Sequence, residues 1–237
     1  MPAEPLLELS GIEGGYGRVQ VLWGVALKVY ERETVVLLGA NGAGKSTLLK
    51  AAMGLIPVWR GRILFGGEDV THLRTDLRVR KGMAYMSETA VFAGLSIAEN
   101  IQIGAQFLPK REIRARIDEL YAVFPALGER RSALASSLSG GQRKMLGIAK
   151  ALAGNPRLLI MDEPSAGLSP LFVKEVIRIL AQFRGHGTTL LIAEQNVKFL
   201  DLADRAYSLD GGRIGFAGTV REMHENDALR RAYFGLR

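Results

Sequence analysis

The stretch that most constrains this chain is Gly39-Ala40-Asn41-Gly42-Ala43-Gly44-Lys45-Ser46-Thr47, a glycine, four residues of any kind, then Gly-Lys-Ser. This is the phosphate-loop pattern, and it requires a buried strand before it and a helix after it. Both are predicted: Thr34 to Leu38 (TVVLL) is β-branched and apolar, and Leu48 to Met53 is a helical segment stopped by Gly54. Backbone amides must approach the β- and γ-phosphates at a helix N-terminus, so Gly39, Gly42 and Gly44 are expected where a Cβ would block that approach, with Asn41 and Ala43 in the same cradle. Lys45 supplies a mobile positive charge, Ser46 a hydroxyl for the magnesium ion of the triphosphate, and Thr47 a contact to the α-phosphate. A glycine-rich turn with no ligand is the alternative, and strand, spacing, Lys and Ser all speak against it.

A second element supports a triphosphate site. Leu158-Leu159-Ile160-Met161 is an apolar strand ending in Asp162 and Glu163, the Walker B arrangement. Asp162 is read as a magnesium partner and Glu163 as the group that polarises the attacking water. Another buried strand, Thr188 to Ala193, leads into Glu194-Gln195-Asn196, where Gln195 is positioned to reach the γ-phosphate. The strand of Lys81 to Met86 ends at Ser87-Glu88, so Glu88 is a candidate magnesium or water contact. Tyr16, about twenty residues before the loop, is a flat apolar partner for a purine ring; a turn aromatic is the plainer reading of a Tyr between glycines. Leu138-Ser139-Gly140-Gly141-Gln142 opens a helix that runs to Ala153. Ser139, Gly140, Gly141 and Gln142 thus form a second candidate anion-binding helix start. One site holds one triphosphate, so this element is expected to complete the site of another subunit; a plain N-cap is the alternative.

The remaining pattern predicts an α/β fold. Leu6 to Leu9 and Val19 to Tyr30, with a turn through Gly14-Gly15, read as an antiparallel sheet, extended by two strands around Gly66-Gly67. From about 89 to 154 the periodicity is helical, with Ser96 to Gln106 and Pro109 to Phe124 clearest; Ile113, Ile117, Leu120, Tyr121 and Phe124 share one face and are read as that insert's own core. A helix from Ser169-Pro170 places Phe172, Val176, Ile179, Leu180 and Phe183 on one side. Tyr207 to Ile214 reads as a closing hairpin without chemistry, followed by a C-terminal helix. We expect a single domain over 1–237: a nucleotide-binding core with its antiparallel β subdomain from about 1–88 and 155–237, and a helical subdomain from about 89–154.

Composition narrows the class. Of the net charge of +7, five units fall between Arg60 and Lys144, where 14 Lys and Arg face nine Asp and Glu. That excess could meet nucleic acid, an anionic membrane surface or only solvent and does not decide the function; no aromatics are interleaved as a single-strand nucleic-acid binder would want, and no nucleic-acid partner is expected. No apolar run approaches the roughly 20 residues that cross a bilayer. With no cysteine and no basic-then-apolar start, a cytosolic location is expected.

With these three motifs in this order and spacing, the chain resembles the ATP-binding subunit of ABC transporters, end to end, and the LSGGQ segment is the most specific signal. Finer features resemble the LivF-type subunit of branched-chain amino acid importers: Glu88 where most relatives have glutamine, Glu194-Gln195-Asn196 where most have a histidine, Ser165 to Pro170 after Walker B, and the ending Arg231-Ala232-Tyr233-Phe234-Gly235. The resemblance implies a P-loop NTPase core of RecA-like type with an N-terminal antiparallel β subdomain and an inserted helical subdomain. It also implies ATP and Mg2+ as ligands, and a head-to-tail dimer in which ATP lies between the phosphate loop of one subunit and Ser139 to Gln142 of the other.

The same resemblance makes Tyr16 the adenine-stacking residue, Glu88 the sensor toward the membrane subunit, Asp162 the magnesium partner, Glu163 the catalytic base and Gln195 the switch residue, with Lys45 beside them. Implied partners are integral membrane permease subunits, a second ATPase subunit (a hetero-pair favoured over a homodimer) and, indirectly, a periplasmic or extracellular solute-binding protein. The implied location is the inner face of the cell membrane. Gln195 can hydrogen-bond the γ-phosphate but carries no proton or positive charge, so slower hydrolysis is expected than with histidine. Two other readings stay open: a soluble ABC-type ATPase acting on ribosomes or nucleic acid, and a regulatory subunit that hardly hydrolyses.

Overall fold

The structure, a computed structural model, describes residues 4–87, 90–226 and 229. The strands are β1 (Leu7–Tyr16), β2 (Val19–Val29), β3 (Thr34–Leu38), β4 (Val58–Phe65), β5 (Glu68–Asp69), β6 (Met83–Met86), β7 (Leu158–Asp162), β8 (Thr189–Glu194), β9 (Arg205–Asp210) and β10 (Arg213–Thr219). The helices are α1 (Lys45–Met53), α2 (Thr75–Arg80), α3 (Ile97–Gly104), α4 (Lys110–Val123), α5 (Pro125–Gly128), α6 (Gly140–Ala153), α7 (Pro170–Gly185) and α8 (Val220–Glu225).

Two sheets share one helix. A four-stranded antiparallel sheet runs β2-β1-β4-β5, and a six-stranded sheet runs β10-β9-β3-β8-β7-β6, parallel throughout except for β10. Between them lies α1, in contact with β1 and β2 on one side and β6, β7 and β8 on the other. That position explains why Leu48, Leu49, Ala51, Ala52 and Met53 are all buried, along with Lys45 and Thr47 of the first turn. The central parallel strands β3, β7 and β8 are buried on both faces, as the continuous apolar runs predict. Alternation sorts their side chains: Val35, Leu37, Leu158, Ile160 and Leu191 pack with α1, while Val36, Leu38, Leu159, Met161 and Ile192 pack with α6 and α7. The fold is thus the α/β phosphate-loop core with an antiparallel sheet beside it.

Between β6 and β7 the described chain is mainly helical. Leu120 and Phe124 of the α4 stripe are buried and Ile113, Ile117 and Tyr121 partly so, but they join one cluster with α6, α7 and the large sheet rather than a core of their own. On α7, Val173 is buried along with Val176, Ile179, Leu180 and Phe183, and Phe172 is only partly covered; its ring lies against Gly141. The expected turn at Gly14-Gly15 is also corrected. Both glycines lie inside β1, and the hairpin turns at Gly17-Arg18, with Tyr16 paired to Val19. Gly15 is required by a close approach, since a Cβ there would stand 2.0 Å from the Val19 carbonyl oxygen.

Candidate nucleotide site

The C-terminal ends of β3, β8, β7 and β6 lie side by side, the place where open parallel sheets hold ligands. Leu38 is in register with Glu194, Asp162 with Ala193, and Met86 with Met161. The phosphate loop therefore opens beside Asp162-Glu163 and Gln195. A cleft of about 430 Å³ lies here, lined by Val21 and by Asn41, Gly42, Gly44, Lys45, Ser46 and Thr47 of the loop together with Asp162 and Glu163.

Within the cleft the polar groups hold one another. The Lys45 ammonium, 3% exposed, donates to the Gly39 and Ala40 carbonyls at 2.8 and 3.1 Å and pairs with Glu163 Oε1 at 3.1 Å. Gln195 Nε2 donates to the same Glu163 oxygen at 3.2 Å and also to Asn41 Oδ1. Ser46 Oγ donates to Asp162 Oδ1 at 2.9 Å. Glu163 itself has a left-handed backbone, φ 48°, and its amide donates to the Ala193 carbonyl while its own carbonyl accepts from Lys144 Nζ at 3.0 Å. Phosphate oxygens fit this donor set: a buried cation, a helix N-terminus and a left-handed Gly44 before it. The Ser46 hydroxyl and Asp162 carboxylate are hard oxygen ligands that suit magnesium, which takes one or two protein ligands beside substrate phosphates and water.

One reason for the glycines differs from expectation. A Cβ at Gly39 would stand 2.5 Å from the Leu209 carbonyl oxygen, so this glycine is needed for packing against the end of β9, just before the β9–β10 turn. That turn, read from sequence as lacking chemistry, supports the loop directly: Gly212 N donates to the Ala43 carbonyl and Trp23 N donates to the Gly212 carbonyl, each at 2.9 Å.

The other expected residues are distributed around this centre. Tyr16 is 47% exposed at the end of β1, beside the start of β2 that contributes Val21 to the cleft. Ser139 caps α6 by accepting from Gln142 N, and Gln142 Oε1 accepts from Ser139 N, a capping box. Gly140 borders a separate cavity of about 300 Å³ with Arg143, Lys144 and Ala166, which shares no lining residue with the phosphate-loop cleft. The structure therefore does not bring Ser139 to Gln142 into this subunit's own phosphate-loop cleft. Glu88 lies outside the described residues, as does Arg231 to Gly235.

Three contributors were not singled out from the sequence. Tyr85 donates to Asp162 Oδ2 at 3.0 Å; burial first, and then the Asp162 carboxylate, push its phenol far above the ordinary value. Lys144 ties α6 to Glu163, and Glu194 is buried behind Gln195. A signal existed in the alternation: Tyr85 and Asp162 occupy the same face of their strands as the residues packed on α1, whereas Glu194 follows Leu190 and Ile192 on the opposite face.

The comparisons agree with this geometry. The family model for the ABC transporter matches residues 22–166. The high-affinity branched-chain amino acid transport ATP-binding protein BraG of Pseudomonas aeruginosa is 38% identical over 97% of this chain and 100% of its own length. The lipopolysaccharide export system ATP-binding protein LptB of Haemophilus influenzae is 34% identical over 97% of each chain. A solved ATP-binding subunit of an ABC transporter superimposes with a TM-score of 0.83 at 30% identity, covering 97% of this chain and 96% of that one. The resemblance to branched-chain amino acid subunits is thereby borne out, and the chain belongs to the ABC transporter family as an ATP-binding subunit that hydrolyses ATP.

Proposed function

We propose that this subunit serves an importer, in which ATP-driven closure and hydrolysis power the uptake of a small solute, branched-chain or other amino acids. The chemical part of the reading rests on one observation: Glu163 Oε1 meets both Lys45 Nζ and Gln195 Nε2 within hydrogen-bonding distance. When the triphosphate binds, Lys45 turns from the Gly39 and Ala40 carbonyls to phosphate oxygens, with the amides of Gly39 to Thr47 around them. Glu163 is released to accept a proton from water as the water oxygen attacks the γ-phosphorus and ADP departs with the bond electrons. Gln195 donates to the γ-phosphate and is tethered by Asn41. Ser46 and Asp162, with Glu88, would hold Mg2+, which would neutralise charge on the phosphate oxygens. Tyr16 stacks on the adenine.

Ser139, Gly140, Gly141 and Gln142 complete the site of a facing ATPase subunit, a reading supported by their separation from this subunit's own cleft. The partners are two integral membrane permease subunits, a second ATPase of related sequence, and indirectly a solute-binding protein. Among the described residues no helix is long and apolar enough to cross a membrane, which fits a subunit attached to the inner face through its permeases. Import is favoured by the 38% identity to BraG along its whole length. Export of a lipidic molecule is the second reading, favoured by the 34% identity to LptB.

Uptake of radiolabelled leucine, isoleucine and valine by cells carrying the wild-type chain or Lys45→Ala tests the reading. Import predicts that uptake is lost in the variant; unchanged uptake together with defective delivery of an envelope lipid would replace import by export.

A further inference from the structure

Glu194 is a carboxylate at the end of an otherwise apolar strand, 2% exposed, and the chemistry outlined above does not use it. Its surroundings account for its burial without a cation. Oε1 accepts from the backbone N–H of Ser165 at 2.7 Å, while Oε2 accepts from the backbone N–H of Gln195 at 3.0 Å and of Asn196 at 3.1 Å. Three amides satisfying one carboxylate is the arrangement that a buried charge requires.

The two loops so joined are functionally unlike and distant in sequence. Ser165 follows Glu163 by two residues, in the turn whose Ala166 borders the same cavity as Arg143 and Lys144 of α6. Gln195 carries the side chain that reaches Glu163 and Asn41. Gln195 lies between the end of β8 at Glu194 and the next turn at Val197, and its backbone N–H is held by Glu194 Oε2.

We propose that Glu194 is a positioning residue that locks the Ser165 turn and the Gln195 loop into one unit, so that a displacement of the turn beyond Glu163 moves Gln195 with it. The proposal rests on the reading that Glu163 and Gln195 act on the γ-phosphate. A glutamine at 194 separates the two connections without changing volume. Its amide has one oxygen and one NH2, so either Ser165 N–H, or the pair from Gln195 and Asn196, faces a donor instead of an acceptor.

The test is ATP turnover of the full chain in four forms: wild type, Glu194→Gln, Gln195→Ala and the double variant, with binding of a fluorescent ATP analogue measured in each. Glu194→Gln is expected to lower kcat about 10- to 100-fold, the scale of a misplaced catalytic contact, with KM for ATP and analogue binding within about twofold of wild type. In the Gln195→Ala background the same change is expected to have little further effect, since Glu194 acts through Gln195.

A Glu194→Gln variant with wild-type kcat and only a lower Tm would make the residue merely structural and overturn the proposal while leaving the site reading intact. Losses that multiply in the double variant would overturn it as well. Wild-type turnover in Gln195→Ala alone would remove the reading of Gln195 and the proposal together, so the two failures are distinct. If Glu194→Gln does not bind the analogue, Glu194→Asp serves instead: its shorter carboxylate keeps the charge and withdraws both connections, and it must show the same fall in kcat with KM retained, or the proposal fails.

Discussion

Replacing Glu163 by Gln removes a negative charge 3.1 Å from Lys45 Nζ while keeping the shape of the side chain. Two effects of opposite sign follow. On the proposed role of Glu163, the variant loses the group that accepts the proton of the attacking water, and turnover is expected to fall about 10²- to 10⁴-fold. It also frees Lys45 from an ion pair that a triphosphate must displace. At this separation the direct attraction is roughly 5 kcal/mol with an effective dielectric near 20. Desolvation of both groups and the remaining bonds of Lys45 to Gly39 and Ala40 offset most of that, leaving a net competition on the order of 1 kcal/mol. ATP affinity is therefore expected to be retained or to rise about fivefold. Phosphate release measures the first effect and titration with a fluorescent ATP analogue the second. Turnover equal to wild type would refute the role of Glu163 as base. Weaker ATP binding would refute the argument that its carboxylate occupies Lys45 until the nucleotide arrives.

Tyr16→Ala is expected to raise the dissociation constant for ATP about 5- to 10-fold, roughly the lower range of base stacking on an aromatic ring, with kcat at saturating ATP nearly unchanged; analogue titration and steady-state kinetics check both halves. Arg78→Met removes a 1% exposed guanidinium that donates to the carbonyls of Ala51, Ala52, Thr71 and Leu73 and so closes the C-terminal end of α1. Burial without a counter-ion pushes that guanidinium down to about 10, still charged at neutral pH. Leaving its carbonyls unsatisfied, less the desolvation that is recovered, costs about 3 kcal/mol, or a fall in Tm of roughly 6–12 °C by calorimetry. Tyr85 keeps its proton when buried, so above pH of about 10 the unfolded chain ionises this phenol and the folded chain does not, and stability falls as pH rises. Tyr85→Phe is therefore expected to lose less stability than wild type in denaturant titrations above that pH, with no such difference in slope at neutral pH.

Much of the site was legible because its chemistry is local. The spacing from Gly39 to Ser46 encodes the turn, the helix start and the lysine in eight consecutive residues, and Asp162-Glu163 closes a strand whose apolar run is unmistakable. What sequence did not reveal depends on which strands are neighbours. Tyr85 reaches Asp162 only because β6 lies beside β7, and Glu194 reaches Ser165 only because β8 lies on the other side of β7. Gly14 and Gly15 mimic a turn by composition, but the small size of Gly15 serves the close approach to β2, and only the pairing of Tyr16 with Val19 places the hairpin. The α2 helix went unread because six residues give too little periodicity, and its Arg78 looks like a surface charge until the carbonyls at the end of α1 surround it. The stripe on α4 was read correctly as apolar, but the surface it covers is shared with α6 and the large sheet.

A role in transport depends most directly on the proteins this ATPase works with. The measurement is recovery of the tagged chain from gently solubilised native membranes, with mass spectrometry of the proteins that accompany it. Two integral membrane subunits and a second ATPase of related sequence are the predicted result, with Lys45→Ala still assembled, since the phosphate loop is proposed as the nucleotide site rather than a docking surface. Ribosomal proteins or nucleic acid, with no membrane protein, would contradict transport and leave ATP hydrolysis in search of another load.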